Sequence, residues 1–103
     1  MNERIEKINE LLKKMPADSF LKHALALEYI KIGNDAQARA LFEEILSRDE
    51  NFVGSYYHLG RLLERNNENE LAIKWYEKGM QVAKEANEMR TYNELQNAYE
   101  DLI

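Results

Sequence analysis

A spacing of 34 residues constrains this chain more than any other feature of its sequence. It separates Leu25 from Leu59, Ala26 from Gly60, Tyr29 from Leu63, Gly33 from Asn67, Ala38 from Ala72 and Phe42 from Tyr76. Few of these pairs are identical, but the class of residue is kept in order: large, small, large, turn, small, aromatic. An internal period of this length marks supersecondary units that bury their apolar faces by stacking. The order also has a packing logic. Two antiparallel helices approach closely only where each carries a small side chain, which sets Ala26 against Ala38 and Gly60 against Ala72 while larger residues fill the surrounding space.

Hydrophobic periodicity divides the chain into helices throughout. Ile5, Ile8, Leu11, Leu12 and Met15 form the stripe of a first amphipathic helix, which Pro16 ends. Asp18 or Ser19 can cap a second helix, whose stripe carries Leu21, Leu25 and Tyr29 with Ala24 and Leu27 alongside. Gly33 suits a left-handed helix end and Asp35 the N-cap of the next. Residues 36–47 form a third helix through Ala38, Leu41, Phe42, Ile45 and Leu46, and Asp49-Glu50-Asn51 is a turn. A fourth helix carries Tyr56, Leu59, Gly60 and Leu63 up to the Asn66-Asn67-Glu68-Asn69 turn. The fifth runs from about 70 to 85 and the last through Tyr92, Leu95, Tyr99 and Leu102. No segment sustains the period-two alternation of a strand.

This pattern of small and aromatic positions resembles the tetratricopeptide repeat, a 34-residue helix–turn–helix unit. The resemblance covers two full repeats, 19–52 and 53–86. It implies an all-α fold in which antiparallel helical hairpins stack as a short right-handed α-solenoid of about six helices. Subtracting 34 aligns Ile8 with Phe42 and Leu11 with Ile45, so residues 1–16 read as the second half of a truncated repeat, with Pro16 at the family's terminal proline. Residues 87–103 fit a shift of 36, which matches Tyr56 to Tyr92, Leu59 to Leu95 and Leu63 to Tyr99. Gln96 then stands where a small residue would admit a partner helix, so this last helix is expected to close the stack of a single domain, 1–103. Three features depart from the family pattern. Lys22 replaces an aromatic residue, Gly79 an alanine, and Glu50 and Lys84 the terminal proline.

Composition narrows the function classes. A chain of 103 residues that is 45% hydrophobic and 32% charged has the makeup of one soluble domain. A net charge of −5 disfavours general nucleic-acid binding and docking on an anionic membrane. No run approaches the ~18 apolar residues of a membrane span. The charged amino terminus lacks the apolar core of a signal peptide. Cysteine is absent, which excludes disulfides and thiolate metal sites. The expectation is an acidic, cytoplasmic protein without cofactor.

Candidate chemistry is sparse. His23 and His58 are the only histidines, and their spacing fits two surface histidines better than a metal pair. No phosphate loop or nucleophile elbow is present, and the carboxylates alternate with Lys and Arg (Glu3-Arg4, Glu6-Lys7, Glu77-Lys78) as on a solvated face. Nothing marks an enzyme. Trp75 and Tyr76 read as core, whereas Tyr57 points about 100° away from Tyr56, off the hairpin interior. Proteins similar to this one usually bind peptides or partner proteins in the groove lined by the first helix of each repeat. Carried onto this chain, that concave wall is Phe20, His23, Leu27, Ile30 and Lys31 from one repeat and Tyr57, His58, Arg61, Glu64 and Arg65 from the next. Asn93 and Asn97 join from the last helix. This stripe suits a segment with an aliphatic side chain near Phe20 and Leu27 and an acidic group near Arg61 and Arg65. The Lys, Asn and Arg set with which the family clamps chaperone tails is not reproduced, since His23 and Leu27 occupy two of its places. The other reading of the stripe is plain packing and solvation. An alternative role is self-assembly into a homodimer through the solenoid ends, at Ile5, Leu12 or the Tyr99–Leu102 edge.

Overall fold

The computed structural model describes residues 2–103. Six α-helices account for the regular structure, and no strand occurs among the described residues. They are α1 (Glu3–Lys14), α2 (Ser19–Lys31), α3 (Asp35–Arg48), α4 (Gly54–Arg65), α5 (Asn69–Glu85) and α6 (Met89–Glu100). Contacts group them into two compact units, Met1–Arg48 and Asp49–Ile103. In the first unit α2 and α3 form an antiparallel hairpin, and α1 packs on α2. In the second, α4 and α5 form the hairpin, while α6 packs mainly on α5 and also on α4. No helix is long and apolar enough to cross a membrane among the described residues.

Short polar side chains start three helices by accepting an amide hydrogen bond that the helix cannot satisfy internally. Asn2 accepts from Ile5 N at 3.1 Å, Asp18 from Leu21 N at 2.9 Å and Asn34 from Gln37 N at 3.3 Å. The third differs from the sequence expectation. Asn34 caps α3, and Asp35 is already its first residue. Helix ends are equally regular. Gly33, Asn67 and Asn87 adopt left-handed φ values of 78°, 64° and 60°, and each is followed by the same pair of bonds. Asn34 N reaches Tyr29 O, Glu68 N reaches Leu63 O and Glu88 N reaches Ala83 O, all at 2.8 Å. The companion bonds span three residues, from Gly33 N to Ile30 O and Asn67 N to Glu64 O at 3.0 Å and from Asn87 N to Lys84 O at 3.1 Å. This is the Schellman cap, which satisfies the last carbonyls and reverses the chain.

The small positions behave as the period implies. Ala26 and Ala38 are fully buried in the first unit, as is Ala72 in the second, where Gly60 is also buried. Phe42 and Ile45 fill the first core, and Tyr56, Leu59, Leu63, Tyr76, Ala83 and Leu95 the second. Gly60 makes room for more than Ala72, since a Cβ there would run into the ring of Tyr76. In α1 the apolar stripe is only partly covered. Ile8 is buried, but Leu11 and Met15 are 44% and 48% exposed, although Ile45, the 34-residue equivalent of Leu11, is fully buried.

Lys22 is buried and reaches Glu44 of α3 at 3.2 Å, which compensates its charge. In the second unit Tyr56 holds the equivalent position. Its hydroxyl donates to the carbonyl of Glu50 at 2.6 Å and fastens the turn before α4. Burial, with Glu50 and Asp49 nearby, pushes the Tyr56 hydroxyl up to about 12. Lys78 joins the same turn through Glu50 at 3.4 Å.

Candidate functional site

Helical spacing puts the α2 residues Phe20, His23, Leu27, Ile30 and Lys31 along one stripe. Phe20 is 72% exposed, while His23, Leu27 and Ile30 are half-buried. The His23 ring stands edge-on to Phe42 at 5.6 Å, so this histidine helps cover the core of its hairpin. Lys31 is exposed, yet its ammonium bonds to Glu28 at 3.1 Å. Arg4 of α1 takes the same carboxylate oxygen at 3.1 Å. Glu28 is buried, and two cations stabilise its charge while tying α1 to α2. Sequence reading missed Glu28, since a single carboxylate at that position carries no visible signal.

On α4 the candidate residues contact one another directly. The Arg61 guanidinium lies over the Tyr57 ring, 5.9 Å from its centroid, and the edge of His58 meets Tyr57 at 5.7 Å. Arg61 Nη1 stands 3.8 Å from Glu64 Oε2, and the Tyr76 hydroxyl of α5 donates a hydrogen bond to that same oxygen. Burial raises the Tyr76 hydroxyl well above its ordinary range, and the bond to Glu64 adds to this. Arg61, Glu64 and Arg65 line a shallow depression of about 310 Å³. Burial lowers the His58 imidazole, and the Glu94 carboxylate of α6 opposes that shift. Asn93 and Asn97 are exposed one turn apart on α6.

The surface therefore differs from a simple basic stripe. Lys31 and Arg61 both have carboxylate neighbours, Glu28 and Glu64. What stands out is a guanidinium half exposed to solvent and flanked on two sides, by an aromatic face and by a tethered carboxylate. Such a group is suited to bind an anion or stack on a planar group. The Glu64–Tyr76 tether was not foreseen, although a signal existed. At a spacing of 34, Ile30 becomes Glu64 and Phe42 becomes Tyr76, so the two positions turn polar together.

The repeat now has a full structural counterpart, with a left-handed turn at 33 and 67, buried small residues at the helix crossings, and the aromatic pair Phe42 and Tyr76 in the cores. The sequence profile of the tetratricopeptide repeat matches residues 21–52 and 53–85. The chain belongs to the tetratricopeptide-repeat family. Among solved structures it is similar to a tetratricopeptide repeat domain protein of Salinibacter ruber, known from a crystal structure and a solution structure. To the crystal structure it is 42% identical with a TM-score of 0.80, over 82% of this chain and 94% of that one. The solution structure gives 42% identity and a TM-score of 0.81, over 84% and 88%. A Bordetella parapertussis protein shares the fold at 20% identity, with a TM-score of 0.84 over 99% of this chain and 89% of that one. No curated protein matches the sequence. Tetratricopeptide repeats are a general protein–protein interaction fold, and this repeat protein has that all-α architecture.

Proposed function

We propose that this tetratricopeptide-repeat protein is a non-enzymatic binding module that holds a peptide or a partner protein through the residues of α2, α4 and α6 that the repeat pattern assigns to the concave wall. The observation that carries the reading is Arg61, half exposed and set between Tyr57 and Glu64 on α4. Ordering a long side chain on binding costs about 0.5–1.5 kcal/mol, and a guanidinium held in place beforehand avoids much of that cost. Phe20, Leu27 and Ile30 on α2 offer an apolar side chain its contact, and Arg61 with Arg65 offers an acidic one its pair. Asn93 and Asn97 add amide donors and acceptors. The test compares the protein with Tyr57→Ala/Arg61→Glu as bait in extracts of the native host. A partner retained by the first and lost by the second is expected, with helicity and melting nearly unchanged. Equal retention by both would sink this reading.

Exposure of Leu11, Met15 and Phe20 favours a second reading, self-association through an apolar surface of the first unit. The candidates named from the sequence, Ile5, Leu12 and the two ends of the Tyr99–Leu102 edge, are each half-buried. Solution mass measured over a hundredfold range of concentration decides it, and a constant monomer mass counts against assembly.

A further inference from the structure

Glu64 is the one candidate residue on α4 whose charge opposes the acidic partner just proposed, and its place in the structure explains why it does not cancel the site. A carboxylate three residues after an arginine on a helix ordinarily pairs with it. Here the Arg61–Glu64 separation is 3.8 Å, at the long end for an ion pair. The Glu64 oxygen nearest Arg61 is the one that accepts the Tyr76 hydroxyl proton. The Tyr76 ring is fixed in turn, because it is fully buried and occupies the volume that Gly60 leaves open. The equivalents in the first unit, Ala26, Ile30 and Phe42, contain no polar side-chain atom, so no such device exists there.

We infer that the Tyr76 hydroxyl is a positioning group, which holds the Glu64 carboxylate away from full pairing and leaves Arg61 able to take a carboxylate from the partner. The inference rests on the proposed function. Glu64 is then a built-in competitor, and Tyr76 sets how strongly it competes. Removing the tether and removing the competing charge must act in opposite directions. Tyr76→Phe frees Glu64 to close on Arg61 and weakens the site. Glu64→Gln keeps an oxygen for the Tyr76 hydroxyl, discards the charge and strengthens the site. A partly exposed ion pair contributes about 0.2–1 kcal/mol, so each change corresponds to at most about a 5-fold shift in affinity.

The probe is an acetylated and amidated tri-glutamate peptide, with tri-glutamine as control, followed through the Nε–Hε resonance of Arg61 in nitrogen-edited NMR spectra. The expected result is a tri-glutamate-dependent shift at Arg61 in the unsubstituted protein, weaker binding in Tyr76→Phe and tighter binding in Glu64→Gln. Thermal melts and the Trp75 indole resonance establish that both variants are folded. If Tyr76 acts through the Glu64 charge, Tyr76→Phe leaves affinity unchanged in the Glu64→Gln background. An equal loss in both backgrounds marks a merely structural role and overturns the inference, as does unchanged affinity in Tyr76→Phe alone. So does the absence of any tri-glutamate response at Arg61 in the unsubstituted protein. Failure of the broader reading looks different: the partner from the host extract is still held by Tyr57→Ala/Arg61→Glu, while the opposed effects on tri-glutamate persist.

Discussion

Gly79 of α5 and Tyr56 of α4 share one volume: a Cβ at Gly79 would stand 2.6 Å from Cβ of Tyr56 and 3.0 Å from a methyl of Leu95. The 34-residue equivalents in the first unit are Ile45 and Lys22. One repeat thus fills this place with two medium side chains and the other with a large one and none. Replacing Gly by Ala inside a helix ordinarily adds about 1 kcal/mol of stability. Here the new methyl meets backbone-proximal atoms that have little freedom to move, so Gly79→Ala is expected to cost about 1–3 kcal/mol. Urea denaturation monitored by circular dichroism measures it, and a gain in midpoint would contradict the packing described.

Lys22 offers the complementary test. It is buried, and its ammonium depends on Glu44, a residue nearly half exposed. Replacing a buried ion by an apolar group of similar volume is often neutral or favourable, and Glu44 can be solvated once its partner is gone. Lys22→Met should therefore change stability by no more than about 1 kcal/mol in either direction. A loss of several kcal/mol in the same urea titration would show that the pair, and not the aliphatic stem, holds the hairpin.

Asn67 and Asn87 occupy the left-handed position that Gly33 occupies at the end of α2. Any side chain is disfavoured there, and asparagine less than most. Asn67→Gly and Asn87→Gly are expected to stabilise the protein by a few tenths to about 1 kcal/mol each, the gain being reduced by the greater freedom glycine gives the unfolded chain. Two-state melts should show a higher midpoint for both, and a decrease would indicate that the asparagine side chains contribute a contact to the turns.

His58 gives the pH dependence. Its folded-state value lies below the ordinary 6.5 because burial disfavours the charged ring, with Glu94 acting in the opposite sense. In this window the unfolded chain binds more protons, so stability is fully present above the unfolded value and falls as pH drops below about 6.5. His58→Gln should flatten the slope of melting temperature between pH 7.5 and 5. Parallel slopes for the two proteins would remove His58 as the cause.

The helices and their ends were legible in the sequence because they are local. The 3.6-residue stripe of Tyr56, Leu59 and Leu63 and the Gly33 and Asn67 turns specify helix and reversal without reference to the rest of the chain. The shift by one residue of the α3 cap, from Asp35 to Asn34, lies within what equally good capping residues leave open. The α1 stripe shows the limit of this reasoning. Its period predicts an apolar face at Leu11 and Met15, but only a packed neighbour buries such a face, and these two stay nearly half exposed.

The candidate site divides in the same way. The resemblance to the repeat family, laid on the helical spacing, picked out Tyr57, His58, Arg61, Glu64 and Arg65 on α4 and the α2 residues from Phe20 to Lys31. Their electrostatic character needed the tertiary structure, because Lys31 is committed to Glu28 beside Arg4, and Glu64 to Tyr76 on the opposite helix.

By itself the sequence determined six helices, their reversals and the 34-residue repetition, because propensity, capping and periodicity act over a few residues. Only the tertiary structure decided that Gly79 yields its space to Tyr56, that Gly60 admits the Tyr76 ring, and that the Tyr76 hydroxyl holds Glu64 beside Arg61. Those relations join residues on different helices. Close packing and hydrogen-bond geometry are properties of the distances between helices, and no period along the chain contains them.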